Sequence, residues 1–106
     1  MSFVHVRDIR EMEPVPGFHG RFAHSSQMTL AHWTIDEGAV APEHRHPHEQ
    51  ICHVIEGSFE LTLDGETRVL EPGSIALIAP DVPHGGRAIT ACRLLDIFHP
   101  SREDWR

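Results

Sequence analysis

The stretch 42-PEHRHPHEQICHVIEG-57 carries four of the ten histidines of the chain and then passes into an alternating apolar run. Side chains two residues apart on a strand point to the same face, about 6.6–6.8 Å apart. His44 and His46 therefore face together, and Gln50 shares their parity four residues later. The stretch predicts a β-strand that presents imidazoles and an amide to one side of a sheet.

The rest of the chain also alternates, in short runs separated by turn residues. Asp64-Gly65 joins two such runs and is a dipeptide typical of a type I′ hairpin. Because no long amphipathic helix is present, the pattern predicts an all-β sandwich or barrel. Ser101 and Asp104 have the spacing of a capping box, so one helical turn is expected at the end. We divide the single domain, residues 1–106, into an N-terminal arm of about 1–17 with a helical turn at 8–13, a barrel at 18–99, and a C-terminal cap at 100–106.

Composition excludes several classes of function. The net charge of −7 argues against a nucleic-acid partner and against an anionic membrane surface, because both require a basic footprint. The chain has no lysine and no tyrosine, so Schiff-base and tyrosine acid–base chemistry are ruled out. No apolar run is long enough to span a membrane and no secretory signal is present, so we expect a cytoplasmic protein. Cys52 and Cys92 are expected to be reduced core thiols.

The last predicted strand is apolar on both faces. Leu94 and Phe98 share one face, while Leu95 and Ile97 share the other. A sheet with one face exposed to solvent would carry polar residues on that face. We therefore expect the outer face to be covered by a second sheet or a partner subunit, and we predict a homodimer.

Histidines from two strands indicate a metal site. His84 ends a separate strand 40 residues downstream of His44. Three imidazoles and the Gln50 amide oxygen could hold one divalent transition metal, namely Ni, Fe, Mn, Zn, Co or Cu. In an octahedral arrangement, two positions remain open for substrate or water.

Other polar residues near this stretch are assigned less direct roles. Because Pro47 precedes it, His48 is expected to lie behind the ligands or to face solvent. Glu49 is a candidate partner for the free N–H of a ligand imidazole. His53 points to the opposite face from Gln50 and suits packing or an interface. His32 lines the interior only if its strand has the required register, and the sequence leaves this open.

The C-terminal stretch suggests a site for a small acid. Asp96 and Phe98 alternate on the interior face, and Arg102 follows four residues later. Arg102 can grip a carboxylate with two hydrogen bonds. Phe98 can pack on a sugar face, Asp96 can move protons, and Arg87 could add attraction for an anion. Parity alone favours a structural role, in which Asp96 pairs with an arginine and Phe98 belongs to the core.

The spacing of the metal-site residues resembles the two motifs of the cupin superfamily. The first runs from Gly38 to Gly57 through the HxH pair, with Gln50 where glutamate is usual, and the second runs from Gly73 to His84. Ala79, Asp81 and Ala88 depart from the second motif. The resemblance implies a single-domain jelly roll, a double-stranded β-helix barrel, with the metal in its mouth.

The combination HRHPHEQ…PHGGR…LLDIFHPSREDW resembles the pectin-degradation cupins of the KdgF type from about residue 35 onward. Those proteins convert 4,5-unsaturated uronates into linear 5-keto sugar acids. The resemblance implies a small anionic sugar as substrate. It assigns the metal to His44, His46, Gln50 and His84, and it assigns catalysis and substrate binding to Asp96, Phe98 and Arg102.

Two other functions remain open. The same ligands could hold Fe or Cu for a dioxygenase that acts on a small organic substrate. The domain could also be a sugar-binding module without catalysis, because one fold serves many functions.

Overall fold

The structure, a computed structural model, describes residues 2–106 as β-strands with two 3₁₀ turns, Val6–Asp8 and Glu103–Trp105. The strands are β1 (Met12–Val15), β2 (Phe18–His24), β3 (Thr29–Ile35), β4 (Val40–His44), β5 (Glu49–Glu56), β6 (Phe59–Leu63), β7 (Glu66–Leu70), β8 (Ile75–Ile78), β9 (His84–Ala88) and β10 (Cys92–His99).

The strands form two antiparallel sheets. One has six strands in the order β1-β2-β3-β10-β5-β8, and the other has four in the order β4-β9-β6-β7. Several neighbouring strands are distant in sequence, as the pairing of β3 with β10 illustrates. Long crossovers between two facing sheets are typical of a jelly roll. The predicted all-β jelly roll is therefore confirmed.

The core lies between the sheets and is rich in aromatic rings. Burial alternates along β2 and β3, as expected for strands with one face inward. Phe18 packs edge-on against Trp33 of its own sheet at 5.9 Å between ring centroids, and against Phe59 of the opposite sheet at 6.3 Å. Edge-to-face pairs at this distance contribute beyond simple area burial. These contacts join the two sheets at the end of the core opposite the histidines.

Turn glycines fix the register of the strands. Asp64 and Gly65 both have positive φ, 49° and 82°, which confirms the predicted type I′ hairpin between β6 and β7. Gly57 also has a positive φ of 82°, and a Cβ there would lie 2.8 Å from Thr90 Oγ1. Glycine is required at this position both for its backbone conformation and for space.

The N-terminal arm differs from the expectation. The predicted helical turn at 8–13 is wrong, because the 3₁₀ turn ends at Asp8 and Met12 already begins β1. Pro14 is tolerated in β1 because this strand is an edge of its sheet, where a missing N–H need not break the ladder. The arm therefore contributes a strand to the six-stranded sheet.

The C-terminal turn forms without the predicted capping box. The hydroxyl of Ser101 donates to Glu103 Oε1 at 2.7 Å, and no side chain caps the turn at Arg102. Asp104 instead accepts hydrogen bonds from the Arg102 side chain. The carboxylate of Asp104, which the capping-box pattern assigned to the start of the turn, therefore pairs with Arg102.

Within residues 2–106, no helix has the length and apolar character that crossing a membrane would require.

Candidate functional site

A cavity of about 420 Å³ lies between the two sheets. This volume is within the range of small-molecule sites. Core residues such as Phe18, Ile35 and Leu94 line the part of the cavity that lies away from the histidines. Its polar lining comes from a few side chains, namely Glu43, His44, Gln50, His84, Asp96 and Arg102, with Phe98 and Trp105 beside them.

The register places these side chains at different depths. Phe98 pairs with Gln50 across β10 and β5, while Asp96 pairs with Cys52 two residues further along. Because a strand advances about 6.6–6.8 Å over two residues, Asp96 lies one such step deeper than Phe98 and Gln50. Arg102 follows the end of β10, at the end of the cavity that holds the histidines.

Three histidines meet at the end of the cavity. One ring nitrogen from each of His44, His46 and His84 lies within 4.8 Å of the other two. His44 and His84 are paired across β4 and β9, with ring centroids 4.3 Å apart. The turn that precedes β9 is tethered to this site, because the backbone N–H of Asp81 donates to the carbonyl of His46 at 2.8 Å. The HxH stretch and His84 are therefore brought together by backbone pairing.

The orientation of each imidazole is set by a backbone carbonyl. The Nδ1 atoms of His44, His46 and His84 lie 2.9, 3.0 and 2.9 Å from the carbonyl oxygens of Pro42, His48 and Val82, respectively. A carbonyl can only accept, so each Nδ1 carries the proton and donates it. The lone pair of the neutral ring is then on Nε2, which is the arrangement a metal ligand needs.

The donor set fits a bound transition metal. The buried Nε2 of His84 has no hydrogen-bond partner within residues 2–106, an arrangement that is otherwise rare. Gln50 Oε1 lies 3.1 Å from His46 Nε2. Two adjacent ligands of an octahedral ion, each bonded at about 2.1 Å, are roughly 3 Å apart. The chain thus has a histidine triad that could bind a metal ion, with an amide oxygen beside it.

Burial keeps two of these imidazoles neutral. Desolvation lowers the pKa of His46 to about 4, and the charges of His84 and Arg102 act in the same direction. Desolvation likewise lowers the pKa of His84. Near neutral pH, both rings therefore keep the Nε2 lone pair that metal binding requires.

Asp96 is a buried carboxylate with one occupied and one free oxygen. Its Oδ2 accepts a hydrogen bond of 2.9 Å from the indole Nε1 of Trp33. Its Oδ1 is buried and has no partner at hydrogen-bonding distance within the described residues. Desolvation raises the pKa of Asp96 to about 6, although the side chains of Gln50 and Cys52, together with Trp33, favour the ionised form. A carboxyl group with this pKa can both accept and release a proton near neutral pH.

Arg102 is held between aromatic rings at the cavity. Its guanidinium carbon lies 3.7 Å from the ring centroid of Trp105 and 4.8 Å from that of Phe98. Nε and Nη2 donate to the two carboxylate oxygens of Asp104 at 3.1 and 2.9 Å. Nη1 takes no part in this pair, so a cationic edge is available for an anion.

The structure places three further candidate residues, Arg87, Glu49 and His32, away from the cavity. Arg87 is exposed, lies 3.7 Å from Glu60 and does not line the cavity, because three residues from His84 it points to the opposite face of β9. Glu49 is exposed, and backbone carbonyls satisfy the imidazole N–H groups in its place. His32 points outward, because Ala31 and Trp33 occupy the inward positions of β3.

The remaining assignments concern His48, His53 and the cysteines. The His48 ring is half-buried outside the cavity, and its carbonyl orients His46. His53 faces outward on β5, opposite to Gln50. Cys52 and Cys92 are both free and buried.

Two residues at the site were missed by the sequence analysis. Trp33 holds Asp96 although 63 residues separate them, and Trp105 covers Arg102 from the C-terminal turn. A buried indole N–H needs an acceptor, so an inward-facing tryptophan on β3 was the available signal for Trp33. No local pattern indicated the role of Trp105.

Most of the chain is similar in sequence to known proteins. Residues 31–98 match the family model described as Cupin domain. The pectin degradation protein KdgF of Dickeya dadantii is 35% identical over 71 residues, which are 65% of this chain and 64% of that protein. The match thus spans just under two thirds of the relative's own length.

Solved structures agree with this relationship. The structure of KdgF from Halomonas sp. is 31% identical, with a TM-score of 0.92 over 100% of this chain and 99% of that one. An RmlC-like cupin from Shewanella frigidimarina is 28% identical, with a TM-score of 0.93 over 100% of this chain and 96% of that one. The resemblance drawn from the two motifs is therefore confirmed: the chain belongs to the cupin family, and within that family it is KdgF-like.

Proposed function

We propose that this protein is a metal-dependent enzyme that converts 4,5-unsaturated uronates from pectin or alginate lysis into linear 5-keto sugar acids. The observation that carries the proposal is that one cavity is lined by His44 and His84 of the histidine triad together with Asp96 and Arg102. The similarity to two KdgF proteins supports the same substrate class.

The proposed ligands of the metal are His44, His46, His84 and Gln50. A bound divalent ion would supply a Lewis acid that polarises the oxygens of the substrate. Gln50 is neutral, so the ligand set adds no negative charge beside an anionic sugar. This arrangement suits a site in a protein whose net charge of −7 does not attract anions over long distances.

Arg102 binds the substrate carboxylate in this proposal. Its Nη1 edge is outside the pair with Asp104, and hydrogen bonds between a guanidinium and a carboxylate are among the strongest in proteins. With the carboxylate at Arg102, the sugar ring extends inward toward Asp96 along the face of Phe98.

Asp96 moves the proton in the proposed reaction. Its free Oδ1 accepts the proton of the C1 hydroxyl as the C1 carbonyl forms and the bond from C1 to the ring oxygen breaks. The electron pair stays on the former ring oxygen as an enolate at C5. Asp96 then delivers a proton to C4, and the C5 ketone forms. One proton leaves oxygen and one joins carbon, so the reaction is an isomerisation that needs no oxidant.

The test is a direct assay. Metal-replete protein is incubated with unsaturated galacturonate generated by a lyase, and the loss of the conjugated double bond is followed by absorbance. We expect a rate well above the spontaneous one, without oxygen consumption. A rate equal to that of buffer overturns the proposal, and oxygen uptake with an aromatic or diketone substrate would select the dioxygenase alternative.

We further propose that the protein is a homodimer, in which the outer face of the six-stranded sheet is the interface. One cross-strand row of this face is entirely apolar, Ala23-Leu30-Ile97-Ile51-Leu77. Leu77 is 72% exposed and Ile97 is 36% exposed. Six strands of four to eight residues, about six on average, give a face of roughly 24 by 21 Å, an area compatible with a small dimer interface.

The proposed location is the cytoplasm. Both cysteines, Cys52 and Cys92, are free thiols in the core. Reduced thiols are the usual state in that compartment.

A further inference from the structure

The residues that follow β10 form a short segment across the end of the cavity, here called the C-terminal strap (residues 100–106). Its backbone is fixed where Arg102 N–H donates to the hydroxyl of buried Thr29 at 2.9 Å. Its end is fixed where Arg106 Nη2 donates to the carbonyl of Ser25 at 2.8 Å. The strap is therefore tied to both ends of the loop between β2 and β3.

Trp105 attaches the strap to the aromatic core. Its ring stacks on Phe22 with a centroid distance of 4.5 Å and an interplanar angle of 14°. It also meets Trp33 edge-on at 5.5 Å and Phe98 edge-on at 5.2 Å. Trp105 is thus held on three sides by rings of β2, β3 and β10.

The fourth neighbour of Trp105 is the guanidinium of Arg102. At 3.7 Å, it lies closer to Trp105 than to Phe98, at 4.8 Å. The Arg102 side chain is 11% exposed, so little water competes for this contact. Asp104, from the same turn, holds the Nε and Nη2 edge. An arginine that would otherwise sample many rotamers is confined to one orientation.

We propose that Trp105 is a positioning residue, which holds the Arg102 guanidinium by a cation–π contact so that its free edge can receive the substrate carboxylate. The role in substrate binding rests on the proposed function, whereas the restraint on Arg102 does not. Without the indole, Arg102 keeps its charge but must be ordered again each time a carboxylate binds. The loss falls mainly on substrate affinity, since Asp96 and the metal ligands lie outside the strap.

The first experiment measures the restraint without using the reaction. The side-chain Nε–Hε resonance of Arg102 is followed by NMR in the wild type and in Trp105→Phe, Trp105→Ala and Glu103→Gln variants. Glu103→Gln is the matched control, because Glu103 lies in the same turn, bonds Ser101 and Arg106, and is outside the cavity. We expect ring-current shielding of the wild-type resonance, which is retained in Glu103→Gln, reduced in Trp105→Phe and lost in Trp105→Ala. A resonance unchanged by both Trp105 substitutions overturns the proposal.

The second experiment separates substrate binding from turnover. With metal content per chain shown to be unchanged, Trp105→Ala should raise KM for unsaturated galacturonate by about 3- to 30-fold, the range expected for loss of a cation–π contact. The change in kcat should be smaller, Trp105→Phe should be intermediate, and Glu103→Gln should match the wild type. An unchanged KM in folded Trp105→Ala refutes the positioning role of Trp105. If that variant does not fold, the role is refuted by Trp105→Phe when both its KM and its Arg102 resonance are unchanged from the wild type.

A third measurement distinguishes failure of this inference from failure of the proposed reaction. If the wild type does not turn over the unsaturated uronate, the affinity of metal-replete protein for galacturonate is measured by calorimetry in place of KM. Weaker binding by Trp105→Ala supports the positioning role although the reaction has failed. Equal binding by the wild type and Trp105→Ala refutes it.

Discussion

The indole Nε1 of Trp33 donates a 2.9 Å hydrogen bond to Oδ2 of Asp96, whose other oxygen is buried without a partner among the described residues. Burying an ionised carboxylate that is only partly hydrogen-bonded opposes folding, and the rise in the pKa of Asp96 to about 6 expresses this. A residue that served only to pack the core would not need a buried carboxylate with one unpaired oxygen. We therefore expect Asp96 to be a position where function and stability conflict.

The first prediction is that Asp96→Asn stabilises the metal-free protein at pH 8. The folded-state pKa of about 6 lies above the ordinary value of 3.8, so ionisation of Asp96 opposes folding. The penalty is fully present above about pH 6 and absent below about pH 4. At 1.36 kcal/mol per pKa unit, the gain in the free energy of unfolding is at most about 3 kcal/mol. Urea unfolding at pH 8 and pH 4 measures it.

The same variant should lose activity while keeping its metal. An amide cannot accept the proton of the C1 hydroxyl, and an acid–base group of this kind is worth roughly 10²- to 10⁴-fold in rate. Full activity of Asp96→Asn would remove the residue from the mechanism. A loss of stability at pH 8 would show that the carboxylate is structural.

The second prediction concerns Trp33→Phe. The indole N–H favours the ionised form of Asp96, so its removal should raise the pKa of Asp96 further above about 6. In the proposed reaction the ionised form acts as the base, so the acid limb of the profile of kcat/KM against pH should move to higher pH. The pH profiles of the variant and the wild type test this, and an unmoved acid limb contradicts it.

The third prediction is that His84→Ala abolishes the proposed binding of a divalent transition metal. His84 Nε2 is buried without a partner, and even residues that only support metal ligands change affinity by about 10- to 100-fold. We expect a loss of more than about 100-fold, measured as metal per chain by elemental analysis. Wild-type protein should gain about 2.7 kcal/mol of stability at a free metal concentration of 100 Kd, and His84→Ala should gain less than about 0.4 kcal/mol at the same concentration. His53→Ala, on the outer face of β5, is the control and should retain both properties.

The sequence predicted the histidine triad well because its determinants are local or motif-like. His44 ends β4 and His46 lies in the turn before β5, so the expectation that they share one strand was wrong. The HxH spacing and the second spaced motif, which contains His84, nevertheless indicated the triad. Arg87 was expected to attract the anion from within the site. It lies three residues from His84 on β9, and because this offset is odd, its side chain points to the opposite face of the strand.

Contacts between residues far apart in the sequence could not be predicted from local sequence patterns. The bond between Trp33 and Asp96 depends on the pairing of β3 with β10, and strand register is a property of the whole sheet. The stacking of Trp105 on Phe22 joins the last turn to β2 in the same way. The residues that support the site were therefore the ones missed.

The fourth prediction contrasts two arginines. Arg102→Ala should raise KM for the unsaturated uronate by at least about tenfold, because a hydrogen bond to a charged group is worth about 1.5–3 kcal/mol. Arg87→Ala should leave KM within about twofold, because Arg87 lies outside the cavity and faces Glu60. Steady-state kinetics of both variants tests the pair. A large effect from Arg87→Ala would mean that the substrate extends beyond the cavity.

The fifth prediction is that Leu77→Glu converts the proposed dimer to a monomer. Leu77 is 72% exposed on edge strand β8, at one end of the apolar row on the six-stranded sheet. A charge buried in an apolar interface without a partner opposes association by several kcal/mol. The control is Val69→Glu, because Val69 is 51% exposed on β7 of the other sheet. Light scattering after size-exclusion chromatography should give a dimeric mass for the wild type and Val69→Glu, and a monomeric mass for Leu77→Glu. A monomeric wild type, or a dimeric Leu77→Glu variant, would show that this face is not the interface.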